Sequence, residues 1–291
     1  MRIVPFKQVD VFTTEPFTGN PVAVVFGADG LDEAAMQGLA AWTNLSETTF
    51  VMAPTVPGAD YRLRIFTPRQ ELPFAGHPSV GTAHAALEAG WAHAHDDRLV
   101  QECGAGLLGI RVVREAGRQR LFVRVPTAHV ESGDLMLTHA LGRALGTPLR
   151  SNPEPRPIDV GPTWIVADLE ESGLVNSLEP DMAALANLCR ERDAVGVTVF
   201  GRSTIEGVAL EARSFAPADG IPEDPVCGSG NAAVGAYLYL NDMLPREGVT
   251  FVVAQGSRVG RDGRVHVAVD ADGGIEIGGE AVTCVDGTIR L

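Results

Sequence analysis

Residues 64–79 read RIFTPRQELPFAGHPS, and residues 213–231 read RSFAPADGIPEDPVCGSGN. Both stretches contain R-x-F-x-P followed by E-x-P-x-[AC]-G, with a longer spacer in the second copy. Each copy continues into an apolar stretch of small residues, 80–88 and 232–240, that is typical of a helix. The repeat therefore predicts two related halves whose helices begin at a shared cleft, where helix N-termini favour an anion.

The composition and charge of the chain limit its possible functions. Its 291 residues suffice for two domains, and 45% hydrophobic with 21% charged residues is typical of a soluble globular protein. No apolar run reaches the roughly 18–20 residues that span a bilayer. The net charge of −14 argues against nucleic-acid and anionic-membrane partners, which require clustered Lys and Arg. An anionic small molecule is still compatible, because a helix N-terminus creates local positive potential.

The four cysteines are scattered along the chain without CxxC spacing. They predict neither a disulfide framework nor a zinc site, and they favour a reducing, cytoplasmic location. Cys227 differs from the other three because it lies inside the repeat.

The hydrophobic pattern predicts more strands than helices, with hairpin-like connections between most strands. This favours an α+β fold with a mostly antiparallel, curled sheet around a central helix in each half. We assign the halves to 1–128 and 129–291, and the last strand is a candidate to return to the first half. The expected helices span 32–42, 78–87, 135–145, 182–192 and 231–240.

Two other motifs are better explained by loops than by binding sites. Residues 104–109 satisfy G-x-G-x-x-G, but they lead into a strand instead of opening a helix, so we expect a hairpin turn. Residues 93–97 read HAHDD, follow a helix and lack a third soft ligand at a suitable spacing, so we expect a solvated loop. The sequence therefore predicts neither a nucleotide nor a metal cofactor.

The second copy of the repeat contains groups that can bind and protonate a small acid. Gly228 and Gly230 let backbone N–H groups approach a ligand, and Ser229 adds a hydroxyl. Asp224 precedes them, and burial there would raise its pKa towards the range of acid–base catalysis. A helix N-terminus that is merely capped by Asp and Ser explains this copy equally well.

The first copy places His77 where the second has Ser229, and a histidine beside an anion cradle is a plausible proton shuttle. Upstream, Glu47 lies where a helix gives way to a hydrophobic strand. An acid at that position is usually solvated, but a buried one would be a good general base.

These residues belong to a series of motifs that resembles the PhzF family, the phenazine-biosynthesis-protein-like group, over essentially the whole chain. The matching stretches are DVF (10–12), PFTGNPVAV (16–24), NLSETTF (44–50), FTP (66–68), ELPFAGHP (71–78), EDPVCGS (223–229), QG (255–256) and GR (260–261).

The resemblance implies a diaminopimelate-epimerase-like fold with two pseudo-symmetric halves, an active site between them, a homodimer and chemistry without a cofactor. It also implies that Glu47 is the acid–base group of a proton-moving isomerase. The residues that this expectation makes catalytic are Glu47, His77 and Asp224. Those that it assigns to substrate binding are Ser46, Gly76, Cys227, Gly228 and Ser229.

The repeat also bears on epimerases and proline racemases of this fold, which use one thiol from each half. Cys227 is present in the second half, but the matching residue of the first half is Ala75, which cannot carry a proton. The sequence therefore predicts a cofactor-independent isomerase of a small carboxylate-bearing metabolite. An epimerase, racemase or dehydratase that uses Glu47 with Cys227 stays open, as does a non-catalytic binding protein. The sequence does not identify the substrate or a role in phenazine synthesis.

Overall fold

The computed structural model describes residues 2–291 and divides into two compact units. The first unit comprises the chain up to Arg124 together with Gly278–Leu291, and the second comprises Val125–Ile277. Across residues 2–291, none of the helices is long and apolar enough to cross a membrane. All four cysteines lie in this range and are free thiols.

The first unit contains nine strands and two helices. In chain order these are β1 (Ile3–Val11), β2 (Asn20–Phe26), α1 (Glu33–Thr43), β3 (Glu47–Met52), β4 (Tyr61–Phe66), β5 (Glu71–Leu72), α2 (Gly76–Glu88), β6 (Arg98–Cys103), β7 (Gly106–Glu115), β8 (Arg118–Arg124) and β18 (Ala281–Arg290).

The sheet of the first unit is mostly antiparallel. β1 pairs with β18 on one side and with β2 on the other, and the ladders β3–β4, β6–β7 and β7–β8 are antiparallel as well. The pairs β2–β3 and β4–β6 are parallel. Helix α2 packs against β1, β2, β3, β8 and β18, and nine of its residues are buried. A helix that is buried on nearly all sides needs small side chains, which explains its Gly- and Ala-rich sequence.

The second unit repeats this arrangement and contains additional helices. Its elements are β9 (His129–Val130), α3 (Leu135–Leu145), β10 (Arg156–Asp159), β11 (Thr163–Glu171), α4 (Ser172–Ser177), α5 (Met182–Glu191), β12 (Gly196–Arg202), β13 (Leu210–Ala216), β14 (Ile221–Asp224), α6 (Gly228–Leu240), β15 (Val249–Gln255), β16 (Gly263–Val269) and β17 (Ile275–Gly279), whose last two residues fall in the first unit.

The pairing of the second unit matches that of the first, strand for strand. β11–β12 and β13–β15 are parallel, whereas β10–β11, β12–β13, β13–β14 and β15–β16 are antiparallel. Helix α6 packs against β10, β11, β12 and β16, and ten of its residues are buried. The central helices α2 and α6 each contain 13 residues. The predicted α+β class, with a mostly antiparallel sheet around a helix in each half, is confirmed.

Local sequence patterns predicted the positions of most secondary-structure elements correctly, but they did not predict all of the first and last residues. The turn at 104–109 is a hairpin between β6 and β7, as predicted. The central helices begin at Gly76 and Gly228, earlier than the expected starts at 78 and 231. The first residue of each helix is difficult to predict from the sequence, because the first turn contains glycine, which is a poor helix former.

Candidate active site

Glu47 is the first residue of β3 and is placed by the end of helix α1. The helix is capped by Asn44, which adopts a left-handed conformation with φ of 54°, and the strand begins three residues later. In the parallel ladder, Glu47 lies opposite Val22 of β2. Its side chain is only 15% exposed, so this acid is buried at the strand's start instead of being solvated.

The side chains of Glu47 and His77 contact each other in the first unit. Glu47 Oε2 lies 3.2 Å from His77 Nε2, and the histidine side chain is 8% exposed. Burial lowers the pKa of His77 to about 3, although a hydrogen bond with the Pro21 backbone acts in the opposite direction. His77 is therefore uncharged at neutral pH.

The hydrogen bond with Pro21 also fixes which ring nitrogen of His77 carries the proton. Proline has no backbone N–H, so the imidazole must donate to the Pro21 carbonyl. A neutral imidazole has one donor and one acceptor nitrogen, and Nε2, which faces Glu47, is thus the acceptor. A hydrogen bond between Nε2 and Glu47 Oε2 then requires that the proton be on Glu47.

The start of helix α2 is held by a chain of buried polar side chains. Ser79 Oγ donates to the Ala75 carbonyl at 2.9 Å and accepts from Gln101 Nε2 at 3.0 Å. Tyr61 OH in turn donates to Gln101 Oε1 at 3.2 Å. These bonds fix the turn that presents Gly76 and His77, the first two residues of the helix.

In the second unit, the turn from β14 into helix α6 contains the other predicted site residues. Asp224 ends β14, and its Oδ1 accepts a hydrogen bond from the Val226 N–H at 3.0 Å. Burial raises the pKa of the Asp224 carboxyl to about 6, a change that bonds from Val226 and Cys227 oppose. Asp224 therefore titrates close to neutral pH, where a carboxyl group can both take up and release a proton.

Cys227 is the N-cap of helix α6, the position that Ala75 occupies in α2. Its Sγ accepts a hydrogen bond from the Gly230 N–H at 3.3 Å. Burial, and next the negative charge of Asp224, raise the pKa of the Cys227 thiol well above its ordinary value. The helix N-terminus does not make a thiolate here, because desolvation and Asp224 outweigh it.

The predicted site residues thus fall into two groups. Ser46, Glu47, Gly76 and His77 lie in the first unit, where the structure brings Glu47 and His77 into contact. The second unit holds Asp224, Cys227, Gly228 and Ser229 within one turn and the first residues of α6.

Two residues that support the second group were not among the predicted site residues. Asn231 Nδ2 donates to the Cys227 carbonyl and to Gln255 Oε1, each at 2.7 Å. Gln255 Nε2 donates to the Asp224 carbonyl at 2.9 Å. Both side chains are buried and tie the turn to the end of β15. The motif QG at 255–256 was a signal for Gln255, but the sequence did not indicate its partner.

Comparison with known proteins identifies relatives along the whole chain. The family model described as "Phenazine biosynthesis-like protein" matches residues 9–287. The chain is 40% identical over 290 residues to Antisense-enhancing sequence 1 of Schizosaccharomyces pombe, covering 97% of each protein. It is 33% identical over 296 residues to trans-2,3-dihydro-3-hydroxyanthranilate isomerase of Pseudomonas aeruginosa, covering 98% of this chain and 99% of that protein.

Solved structures show the same relationship. The crystal structure of a phenazine biosynthesis protein of the PhzF family from Bacillus anthracis matches with a TM-score of 0.87 at 27% identity, covering both chains completely. A probable proline racemase from Agrobacterium radiobacter shares the fold, with a TM-score of 0.69 at 15% identity over 99% of this chain and 93% of that one. The chain therefore belongs to the phenazine biosynthesis-like (PhzF) family and is an isomerase of that family.

Proposed function

We propose that this isomerase moves a proton on a small carboxylate-bearing metabolite, with Glu47 as the general acid–base group. The observation that carries the proposal is the contact between Glu47 Oε2 and Nε2 of an uncharged His77. The carboxylate takes a proton from a C–H bond beside a double bond, and the electron pair enters the conjugated system. Glu47 then returns the proton to another carbon of that system, so the double bond shifts without any oxidant.

His77 and Asp224 assist in this proposal in different ways. His77 accepts a hydrogen bond from protonated Glu47 and so stabilises the intermediate state in which Glu47 holds the substrate's proton. Asp224, with its pKa of about 6, is available as a second proton carrier. The proposed substrate-binding residues are Ser46 and Gly76 of the first unit and Cys227, Gly228 and Ser229 of the second, and a helix N-terminus such as that of α2 or α6 stabilises negative charge.

The relatives and the charge of the chain support a proposal for the substrate class. The Pseudomonas aeruginosa relative is named for trans-2,3-dihydro-3-hydroxyanthranilate, an unsaturated amino acid with a carboxylate. We propose a substrate of the same class for this chain. The net charge of −14 favours a small anion held at helix N-termini over a nucleic acid. We further propose that the enzyme is a homodimer that requires no cofactor.

Two alternatives are tested by the same measurement. A one-thiol epimerase or dehydratase would need a reactive Cys227, which the raised thiol pKa disfavours. The non-catalytic binding protein that the sequence left open is disfavoured by the relatives that are named as isomerases.

The deciding experiment is proton exchange in D₂O. The purified protein is incubated with trans-2,3-dihydro-3-hydroxyanthranilate and a panel of small unsaturated carboxylic acids, and loss of C–H signals is followed by ¹H NMR. We expect exchange or isomerisation of at least one compound, and we expect Glu47→Gln to slow it by about 10²–10⁴-fold. Glu206→Gln, at an exposed loop position, is the matched control and should leave the rate unchanged.

The outcomes separate the candidates. Equal rates for the wild-type and Glu47→Gln proteins would refute the role of Glu47, and binding without exchange would favour the non-catalytic candidate. We also expect full activity after dialysis against a chelator, since no group of three or more His, Cys, Asp or Glu residues within 2–291 is arranged to hold a metal. Loss of activity that a divalent ion restores would contradict this expectation.

A further inference from the structure

A tryptophan contacts the proposed substrate-binding serine of the second unit. The indole Nε1 of Trp164, in β11, donates a hydrogen bond to Ser229 Oγ at 3.0 Å. Trp164 is only 4% exposed. An indole N–H is a donor and never an acceptor, so Ser229 Oγ must be the acceptor in this bond.

The neighbouring strand, β12, leaves room for the indole ring of Trp164. Trp164 lies opposite Gly196 in the parallel ladder between β11 and β12. A Cβ atom on Gly196 would lie 2.5 Å from Cζ3 of the indole, which is shorter than any normal carbon–carbon contact. Any larger residue at position 196 would displace the ring, so the position of the indole N–H is set by the backbone beneath it.

The bond from Trp164 determines how Ser229 can interact with a ligand. A serine hydroxyl carries one proton, and because its oxygen already accepts from the indole, that proton is left to donate. The neighbouring protein acceptor is Cys227 Sγ at 3.7 Å, and a thiol sulfur is a weak acceptor. A carboxylate oxygen is a much stronger partner for the hydroxyl proton.

We propose that Trp164 is a positioning residue that turns the Ser229 hydroxyl into a hydrogen-bond donor for the carboxylate of the substrate. This inference rests on the proposed function, in which Ser229 binds that carboxylate. The inference also implies that Ser229 binds a carboxylate more tightly than a neutral amide of the same shape, because charge-assisted hydrogen bonds are stronger than neutral ones.

The inference is tested by ligand affinity in a double-mutant cycle. Anthranilate and 2-aminobenzamide differ only in their carboxylate and carboxamide groups, and calorimetry gives the dissociation constant of each. We expect Trp164→Phe to weaken anthranilate binding about 5- to 10-fold and 2-aminobenzamide binding much less. In a Ser229→Ala background, Trp164→Phe should have no further effect on anthranilate.

A second measurement does not depend on the stability of the Trp164→Phe protein. The chain has three tryptophans, so the indole N–H signal of Trp164 can be assigned in a ¹⁵N-labelled sample. Anthranilate should shift this signal in the wild-type protein and leave it in place in Ser229→Ala. A signal that does not move on anthranilate binding to the wild-type protein would overturn the inference, as would failure of anthranilate to bind.

The outcomes also separate this inference from the proposed function. If proton exchange depends on Glu47 but Trp164→Phe leaves the affinity for anthranilate unchanged, the inference alone is refuted. If the cycle shows coupling between Trp164 and Ser229 while no compound undergoes exchange, the inference stands and the proposed function fails. A KM that rises in Trp164→Phe without a change in kcat would support positioning of the bound substrate.

Discussion

Arg213 donates two hydrogen bonds to Glu223, from Nε to Oε1 at 3.0 Å and from Nη2 to Oε2 at 2.8 Å, in a buried bidentate pair. In the first copy of the repeat, Arg64 and Glu71 form the same pair at 2.6 and 2.5 Å. Each guanidinium also lies over the phenylalanine two residues later, about 5 Å from its ring centroid. The repeated R-x-F-x-P…E pattern is thus a structural ion pair that joins two strands, and not a substrate-binding motif.

The two ion pairs differ in burial and should differ in their effect on stability. Arg213 and Glu223 are 7% and 8% exposed, whereas Arg64 and Glu71 are 20% and 35% exposed. We expect Arg213→Ala to lower the free energy of unfolding by about 3–5 kcal/mol, because it leaves Glu223 buried without its counter-ion. Arg64→Ala should cost about 1 kcal/mol. Urea unfolding of both variants provides the comparison, and equal losses would contradict it.

The chemistry of Cys227 is tested by replacing its sulfur. Because burial and Asp224 raise the pKa of the thiol, we expect it to be protonated and unreactive at neutral pH. Cys227→Ser and Cys227→Thr should retain activity within about tenfold of the wild-type rate, since neither removes the general acid–base group. Iodoacetamide should modify Cys227 slowly. Loss of most activity in a folded, ligand-binding Cys227→Ser protein would instead establish a one-thiol mechanism.

Asp224 should make the stability of the protein depend on pH. Its pKa rises from an ordinary 3.8 to about 6 in the folded state, so the folded chain holds the proton more tightly between these values. The stability that this group contributes is complete below pH 4 and is lost as the pH rises through 6.

The pH dependence should disappear in Asp224→Asn. The wild-type protein should lose up to about 3 kcal/mol relative to this variant between pH 4 and 7, because each pKa unit corresponds to about 1.4 kcal/mol. Urea unfolding at both pH values measures the difference in stability between the wild-type protein and this variant. The other titrating groups are the same in both proteins, so their contributions cancel. A difference that stays constant from pH 4 to 7 would show that Asp224 is not protonated more tightly in the folded state.

Two helical glycines provide a test of the packing around α2. A Cβ on Gly81 would lie 2.5 Å from Val22 Cγ1 and 2.7 Å from Val11 Cγ2, whereas a Cβ on Gly38 in α1 would meet no atom within 4 Å. Gly81→Ala should therefore destabilise the protein by about 1–3 kcal/mol through overpacking. Gly38→Ala should stabilise it by about 0.5–1 kcal/mol, because alanine is the better helix former. Thermal unfolding should show opposite shifts for the two variants, and shifts of the same sign would disprove this account of α2.

The sequence predicted those features that local pattern controls. The expected helix at 32–42 corresponds to α1, and the side chain of its N-cap Asp32 accepts a hydrogen bond from the Ala35 N–H at 2.8 Å. The small residues of α2 and α6 indicated central helices because only small side chains fit on all sides. The bounds of β18 could not be predicted, since its partner β1 lies in a distant part of the sequence and only that pairing makes it a strand. The strand β6 is hard to predict because the buried Gln101 interrupts its apolar alternation.

The sequence predicted which residues belong to the candidate site, but it did not predict which of them contact each other. Glu47 and His77 meet because β3 lies parallel to β2, and the register of two distant strands cannot be derived from their own sequences. The hydrogen bond from His77 to the Pro21 backbone, which decides the tautomer, depends on the same register. Trp164 carried no local signal at all, since its role arises from Gly196 on the neighbouring strand.

The position of β18 bears on how the chain folds as it leaves the ribosome. β1 is paired on one side with β2, which follows it closely, but on the other with β18, which comes after the whole second unit in the sequence. All of Val125–Ile277, a continuous stretch, emerges before that second ladder can form. The second unit is thus able to fold during synthesis while the first keeps an open strand edge, and such edges invite pairing with other chains. The β18-facing edge of β1 therefore stays unpaired until the second unit has been synthesised.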